Sequence, residues 1–263
     1  GETMSLIYSP CYAGKDGRLY DALLNRPLSA CRTGIRTSHI PGDPALENPR
    51  WSIRFMPALC PACGWDLDGK RDSLAFGCRN CDTLWMCGGN EFRKTKFLML
   101  PAREKDSVYF PFYRISAEVS GIDLASRADL IGLANLPRLP GKECEEKPLY
   151  FWSPAFKVRP RELLRFSRQM TLTQPEGASK KQIPRSETQG TTLPVSEAAE
   201  LMKITLASFI KPPSLLGRLN QIDMDLKSFA VVFIPFEKRG DEFVQHDMSL
   251  RIHAAVMGHA RQL

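Results

Sequence analysis

The amino-acid sequence predicts an α+β protein in which a small four-cysteine module precedes a larger domain of mixed helices and aromatic, proline-containing strands. Three observations lead to this fold class. Two Cys-x-x-Cys pairs lie between residues 60 and 81, three aromatic segments that contain proline follow them, and two segments with helical spacing lie between those strands. At 263 residues, of which 43% are hydrophobic, the chain is long enough to bury a substantial core.

The two cysteine pairs have the spacing of a metal site. A Cys-x-x-Cys turn directs two thiolates and several backbone N–H groups at one point, so two such turns supply four ligands. Gly64 follows the first pair and is suited to a positive φ, and Asp82 in the same place after the second pair tolerates that conformation better than most residues. The predicted metal ligands are Cys60, Cys63, Cys78 and Cys81.

Fourteen residues separate the two pairs, enough for two short strands and a turn. In "WDLDGKRDSLAFG" the Asp68-Gly69 dipeptide predicts the turn, and apolar residues alternate on its flanks. With these features, residues 56–86 resemble the zinc-ribbon superfamily. That resemblance implies one zinc ion per chain in a closed site of four thiolates, which leaves no open position for catalysis. Such a site contributes on the order of 10 kcal/mol to the folding of a small module.

Two alternatives concern the same site. Four thiolates also hold iron in rubredoxin-like electron-transfer proteins. Those proteins usually have more residues between the two cysteine pairs and a glycine after the second pair, where this chain has Asp82. Cys87, six residues past Cys81, is either a substitute ligand or a free thiol. The sequence favours zinc and a free Cys87.

The larger domain, residues 87–263, is predicted to contain three strands: "VYFPFYRI" at 108–115, "LYFWSPAFKV" at 149–158 and "FAVVFIPF" at 229–236. Because proline cannot donate to a ladder, the prolines in these segments predict edges, bulges or strand ends. The ribbon followed by a Tyr-x-Pro-Phe-aromatic strand is similar to bacterial zinc-ribbon proteins of uncharacterised function, some of them associated with membrane-bound scaffolds. No residue roles follow from that similarity.

Three helices are predicted in the larger domain besides the basic helix near Pro160 that is described below. Ser126 is the predicted N-terminal cap of the first helix, which ends at Pro137. Ser196 is the predicted cap of the second helix, which ends before Pro212. The third runs from about Asp247 to the end of the chain.

The remaining segments have no strong pattern. Residues 1–3 have the character of a cloning remnant before Met4, and residues 4–55, with a short helix within 16–30, are predicted to wrap the ribbon. Residues 174–194 are polar, contain prolines near both ends and predict a mobile loop.

A basic surface is the second candidate site. The chain carries a net charge of +7, and eight basic residues against two glutamates lie between residues 157 and 185. On a helix that begins near Pro160, three arginines share one face. The candidate anion-binding residues are Arg161, Arg165, Arg168, Lys180 and Lys181. The alternative is an ordinary solvated helix face.

The sequence therefore predicts a zinc-binding, non-catalytic adaptor or scaffold with a protein partner. Nucleic-acid binding through the basic surface, or contact with an anionic membrane surface, is the main alternative, and rubredoxin-like electron transfer is another. No catalytic motif, transmembrane segment or small-molecule substrate is predicted. Eight cysteines in a chain of this length, half of them in one cluster, predict a reducing compartment, the cytoplasm.

Overall fold

The structure is a computed structural model, and the part of the chain that it describes forms two compact units, residues 1–55 and 56–263. Each unit is treated by itself. The described residues are 11–13, 18–21, 26–27, 56–88, 91–104, 106–135, 147–178, 182–210, 217, 219 and 221–259.

The described part of the first unit is a three-stranded antiparallel sheet. Its strands are β1 (Cys11–Ala13), β2 (Leu19–Asp21) and β3 (Arg26–Pro27), in that order. The helix predicted within residues 16–30 is wrong at β2 and β3. Tyr12 and Tyr20 are opposite each other in the β1–β2 ladder, and tyrosine is a residue type that is enriched in strands. The rest of the predicted wrapping segment, 4–55, lies outside the described residues, and its role stays a prediction.

The second unit begins with a small antiparallel sheet, which we call the cysteine sheet. It consists of β4 (Ala75–Cys78), β5 (Thr83–Gly88) and β6 (Glu91–Thr95), in that order. The predicted module boundary at residue 86 falls inside β5.

The two faces of the cysteine sheet differ. Ala75 and Leu84 belong to the core of the larger fold, whereas Cys78 and Trp85 form a separate small cluster with Cys60. Because side chains alternate along each strand, one sheet contributes both to the large core and to the cysteine cluster.

The hairpin between the cysteine pairs is present, but its turn is not at Asp68-Gly69. Asp68 pairs with Gly77 through two hydrogen bonds of 2.8 Å, and the chain reverses at Lys70–Ser73, where the Ser73 N–H donates to the Lys70 carbonyl at 2.9 Å. The Phe76 ring lies beside Gly69, where a β-carbon would clash with it.

The main sheet has six strands: β7 (Phe97–Met99), β8 (Val108–Ser120), β9 (Phe151–Pro154), β10 (Asp223–Arg239), β11 (Glu242–Gln245) and β12 (Leu250–His253). Their order is β12-β11-β10-β8-β9, with β7 parallel to part of β10. The three predicted aromatic strands are confirmed as β8, β9 and β10, and they are adjacent in one sheet. The mixed α+β class is confirmed.

The prolines of β8 and β9 lie where one ladder ends. Pro154 is the last residue of β9, as the strand-end prediction requires. Pro111 lies inside β8 and not at a strand end, at the point where the ladder with β9 stops. The Pro111 carbonyl accepts from the Ala155 N–H at 3.0 Å, just past the end of β9. Since the N and C=O of an extended residue point to the same side, the N–H that Pro111 lacks would face this ladder end.

Pro235 lies inside β10, and its nitrogen likewise faces a place where the described residues supply no ladder partner. It pairs with Tyr109, whose own N–H and C=O bond to Glu187 and Gln189 on the far side of β8, each at 2.8 Å. The Tyr109 pair with Pro235 is therefore a non-hydrogen-bonded pair, and the proline nitrogen points away from β8. It faces the gap between the part of β10 that pairs with β7 and the part that pairs with β11.

Helices cover both faces of the main sheet: α1 (Arg127–Leu133), α2 (Pro160–Thr173), α3 (Val195–Ala207) and α4 (Ala254–His259). Tyr113 and Val231 lie in one core with α1 and α3, while Phe112 and Val232 lie in the other with Phe166 of α2. In the described part of the chain, no helix has the length and apolar character needed to cross a bilayer.

Two predicted helix starts are confirmed and two are wrong. The basic helix begins at Pro160, as predicted. Ser126 caps α1 and forms a reciprocal capping box with Asp129. Ser196 does not cap α3, since the helix already begins at Val195 after Pro194, without a side-chain cap. The C-terminal segment does not become helical at Asp247, because Leu250–His253 pair with β11 and α4 begins only at Ala254. Residues 260–263 lie outside the described residues.

Residues 182–193, which we call the bridging segment, contact both sheets. Thr188 forms a parallel bridge with Tyr109 of the main sheet, and the Leu74 N–H beside β4 donates to the Thr191 carbonyl at 2.5 Å. The bridging segment makes up most of the stretch 174–194, whose mobility stays a prediction. Residues 179–181 lie outside the described residues.

The seat of the bridging segment on the cysteine sheet can be tested at a glycine. A β-carbon on Gly77 would lie 3.0 Å from the Ile183 side chain, whereas one on Gly88, in the same sheet, would meet nothing within 4 Å. We expect Gly77→Ala to lower the free energy of unfolding by about 1–3 kcal/mol through overpacking. Gly88→Ala is the control and should change it by about 0.5 kcal/mol or less. Denaturant melts of both variants measure this, and equal midpoints would contradict it.

Candidate metal centre

The structure brings the four predicted cysteines together. Their sulfur atoms all lie within 4.8 Å of one another, with 3.6 Å between the Sγ atoms of Cys60 and Cys81 and 3.5 Å between those of Cys63 and Cys78. Four sulfurs bound at about 2.3 Å to one tetrahedral ion would lie about 3.8 Å apart. Each close pair joins one knuckle to the other, so a metal ion at the centre would cross-link both turns.

Backbone conformation sets these sulfur positions. Gly64 has a φ of +73° and Asp82 a φ of +48°, so the residue after each cysteine pair is left-handed, as the sequence suggested. The Gly64 N–H donates to the Cys60 carbonyl at 2.8 Å, and the Cys60 N–H donates to the Trp65 carbonyl at 2.7 Å. These bonds close the first knuckle and direct its remaining N–H groups toward sulfur.

The thiols have unequal proton affinities. Burial raises the pKa of Cys60, but hydrogen bonds from Thr83 and from the N–H groups of Ala62 and Cys63 outweigh it and lower the pKa to about 6. The Asn80 amide, together with the Trp65 N–H, lowers the pKa of Cys63.

The pKa of Cys78 is shifted in the opposite direction from those of Cys60 and Cys63. Its burial raises the thiol pKa to about 12, against the lowering effect of the Cys81 and Asn80 N–H groups. Binding of a cation to all four sulfurs at neutral pH would therefore release the Cys78 proton.

Thr83 is the nearest non-cysteine partner of the sulfurs, and the sequence pattern did not identify it. Its hydroxyl oxygen lies 3.0 Å from the Cys81 Sγ and 3.6 Å from the Cys60 Sγ. The Trp85 indole N–H donates to the same oxygen at 2.9 Å. Since indole can only donate, Thr83 must accept from it, and the hydroxyl proton remains for a sulfur. The Thr-x-Trp spacing on a strand two residues after Cys81 was the available signal.

Asp82 connects the second knuckle to the rest of the fold. Its carboxylate accepts from the Ile183 N–H at 3.1 Å. The left-handed residue of the knuckle is thus also the anchor of the bridging segment. Glycine, which the ribbon resemblance would favour here, could supply the conformation but not this hydrogen bond.

Cys87 lies outside the cluster. It pairs with Phe92 in the ladder between β5 and β6, on the far side of Trp85 from the knuckles, and it is half-buried as a free thiol. The group of ligand atoms that could hold an ion in the described part of the chain consists of the four predicted cysteines alone.

The basic helix face is only partly available to an anion. Arg161, Arg165 and Arg168 of α2 are all exposed on one side, with Phe166 buried on the other. Arg165 is engaged by Glu162, at 2.6 Å, and donates to the Arg251 carbonyl at 2.9 Å.

Arg168 lies over the Phe209 ring, 5.7 Å from its centroid. Lys180 and Lys181 lie outside the described residues, and the anion-binding role of the whole set stays a prediction.

Comparison of the chain with protein-family models, curated proteins and solved structures gives no match.

The Thr83 hydroxyl offers a test of the second sphere. Thr83→Val keeps the shape of the side chain but removes the sulfur's hydrogen-bond donor and the Trp85 acceptor, so we expect metal affinity to fall about 10- to 100-fold. Competition with a chelator measures the affinity. Thr95→Val on β6 is the matched control, because the Thr95 hydroxyl bonds to the Arg93 carbonyl and not to a sulfur. Equal affinities in the two variants would contradict the role of Thr83.

Proposed function

We propose that this chain is a zinc-binding, non-catalytic adaptor whose metal centre holds a surface for a protein partner. The observation that carries the proposal is the position of the exposed apolar side chains. The exposed large hydrophobic residues in the described part of the chain are Leu59, Trp65 and Leu226, and the first two flank the first knuckle. Trp65 is 60% exposed.

The metal centre determines the shape of this surface. Leu59 bridges to Asp66, and the Trp65 carbonyl accepts from Cys60, so both apolar residues are attached to the backbone that would surround the ion. Tryptophan is enriched among the residues that dominate the energy of protein interfaces. A rigid knuckle that presents a tryptophan and a leucine suits an apolar pocket on a partner.

Zinc supports this role better than iron does. The four sulfurs lie within 4.8 Å of one another and can supply all four ligands of a tetrahedral ion, as in structural zinc sites, which would leave no position for water or substrate. The second knuckle has Asp82 where the rubredoxin pattern has glycine, and the Asp82 carboxylate is used for a contact with the bridging segment. A structural ion that stabilises the knuckle accounts for these contacts without a redox step.

Metal identity is the first test. Elemental analysis of the protein should give one zinc per chain, because four thiolates form one closed site. Removal of the metal with a chelator should increase hydrogen exchange of the amides in residues 58–86 more than in β8 and β10, since the small cluster around Cys60 has little core of its own. Iron with a visible thiolate charge-transfer band would contradict the proposal and favour electron transfer.

Partner binding is the second test. Affinity purification of the zinc-loaded protein, with nuclease present, should recover one protein in near-stoichiometric amount. Leu59→Ser with Trp65→Ser should abolish its recovery while zinc content stays at one per chain. Leu226→Ser, at the exposed leucine in β10 away from the knuckle, is the control and should retain the partner.

The nucleic-acid alternative predicts a different outcome. Binding of the partner material would then be lost on nuclease treatment, and affinity would fall steeply as salt is added. Arg161→Gln, Arg165→Gln and Arg168→Gln combined in one variant would flatten that salt dependence. This result, with recovery unaffected by the Leu59 and Trp65 changes, would overturn the adaptor proposal.

A further inference from the structure

A second site lies away from the cysteines, in a cavity of about 250 Å³ that we call the arginine cavity. Its walls come from β8, the start of α1, the segment before β9 and the segment after α2. The lining side chains that matter here are Arg114, Arg127, Lys147, Tyr150, Gln174 and Glu176. None of them belongs to the candidate metal centre or to the exposed knuckle.

The cavity walls are fixed by local hydrogen bonds. Ser126 bridges to Pro148, and the Arg127 N–H donates to the Lys147 carbonyl at 3.4 Å, which joins the start of α1 to the strand that leads into β9. Gln174, left-handed and 8% exposed, bonds to both the N–H and the carbonyl of Tyr150, at 3.3 and 2.6 Å. The cavity is therefore preformed, which limits the entropy lost on ligand binding.

The charges that line the cavity do not balance. Three cationic side chains face one carboxylate, a net of two positive charges. Lys147 donates to the two oxygens of Glu176 at 2.9 and 3.2 Å. Within the described residues, no carboxylate lies at ion-pair distance from Arg114, whose guanidinium carbon is 4.7 Å from the centroid of the Tyr150 ring.

Arg127 has a buried hydrogen-bond donor that no described acceptor satisfies. Its Nε is buried and has no hydrogen-bond partner among the described residues, and its Nη2 makes one long contact, 3.5 Å, with the Thr173 carbonyl. A buried donor without a partner costs about 1–3 kcal/mol, and more when it is charged. An oxyanion in the cavity would supply the acceptor.

We propose that the arginine cavity binds the phosphate group of a small phosphate monoester. Guanidinium groups hold tetrahedral oxyanions through paired N–H donors, and two of them line this cavity. A dianion matches the net charge of the lining. The volume is below the range of about 300–1,000 Å³ that is typical for drug-sized ligands, so the cavity suits a phosphate head with a small substituent.

Glu176 is the internal competitor of the ligand. A hydrogen bond from Lys147 and its charge, with the Arg127 charge as a smaller contribution, hold the pKa of the Glu176 carboxyl below its usual range. The carboxylate therefore stays charged at neutral pH and occupies the Lys147 ammonium. Neutralising the Glu176 carboxylate weakens its bond to that ammonium and removes its repulsion of a bound anion, so affinity for an anion should increase.

The experiment is calorimetric titration of the full zinc-loaded chain with inorganic phosphate and with glycerol 3-phosphate, against chloride at equal ionic strength. We expect saturable binding at one site per chain. Arg114→Gln and Arg127→Gln should each weaken it at least about tenfold, since hydrogen bonds to charged groups contribute about 1.5–3 kcal/mol. Glu176→Gln should tighten it. Arg161→Gln, an exposed arginine of α2 outside the cavity, is the matched control and should leave it unchanged.

Three outcomes would overturn the proposal. The first is no saturable binding in both the natural protein and Glu176→Gln. The second is an equal loss in the control and in the cavity variants. The third is binding only to vesicles that contain phosphatidic acid, without competition by glycerol 3-phosphate, which would assign the charge to a lipid surface. Because Arg127 begins α1, the melting temperature of its variant without ligand is measured first, and if it is lowered, Arg114→Gln and Glu176→Gln decide.

Discussion

The convergence of four sulfur atoms on one point is the constraint on which the start of the second unit depends. The cluster around Cys60, Cys78 and Trp85 is too small to hold two knuckles and a three-stranded sheet by burial alone. A metal ion that cross-links the knuckles would supply on the order of 10 kcal/mol. The left-handed residues, the sulfur-directed N–H groups and the Thr83 hydroxyl all serve to bring these sulfurs within 4.8 Å of one another.

The cysteine sheet transmits this order to the main fold through its other face. Ala75 and Leu84 lie in the same core as the strands of the main sheet, and the bridging segment closes the junction with hydrogen bonds to both sheets. The bond from the Ile183 N–H to the Asp82 carboxylate places that junction directly beside the second knuckle. Asp82 therefore belongs both to the candidate metal centre and to the contact between the two sheets.

Local patterns predicted what local chemistry determines. The four cysteines, the left-handed Gly64 and Asp82, the aromatic strands and the Ser126 cap depend on neighbours in sequence, and each was identified from the sequence. The failures involve pairing that the local patterns do not encode. The hairpin reverses at Lys70–Ser73 and not at Asp68-Gly69, Leu250–His253 pair with β11 instead of beginning a helix, and Pro111 and Pro235 lie inside strands. The arginine cavity is lined by residues between 114 and 178 that come from separate segments, so no single stretch of sequence predicts it.

One continuity in the chain has a consequence for how the fold comes apart. Lys96 alone separates β6 from β7, and its carbonyl accepts from the Val231 N–H at 2.9 Å, so one strand leaves the cysteine sheet and enters the main sheet within a single residue. The cysteine sheet can open as a cooperative sub-global unit only up to this residue, because further fraying must break the parallel ladder with β10. Lys96 thus marks the border between two foldons, one whose opening would depend on metal and one whose opening would depend on the core.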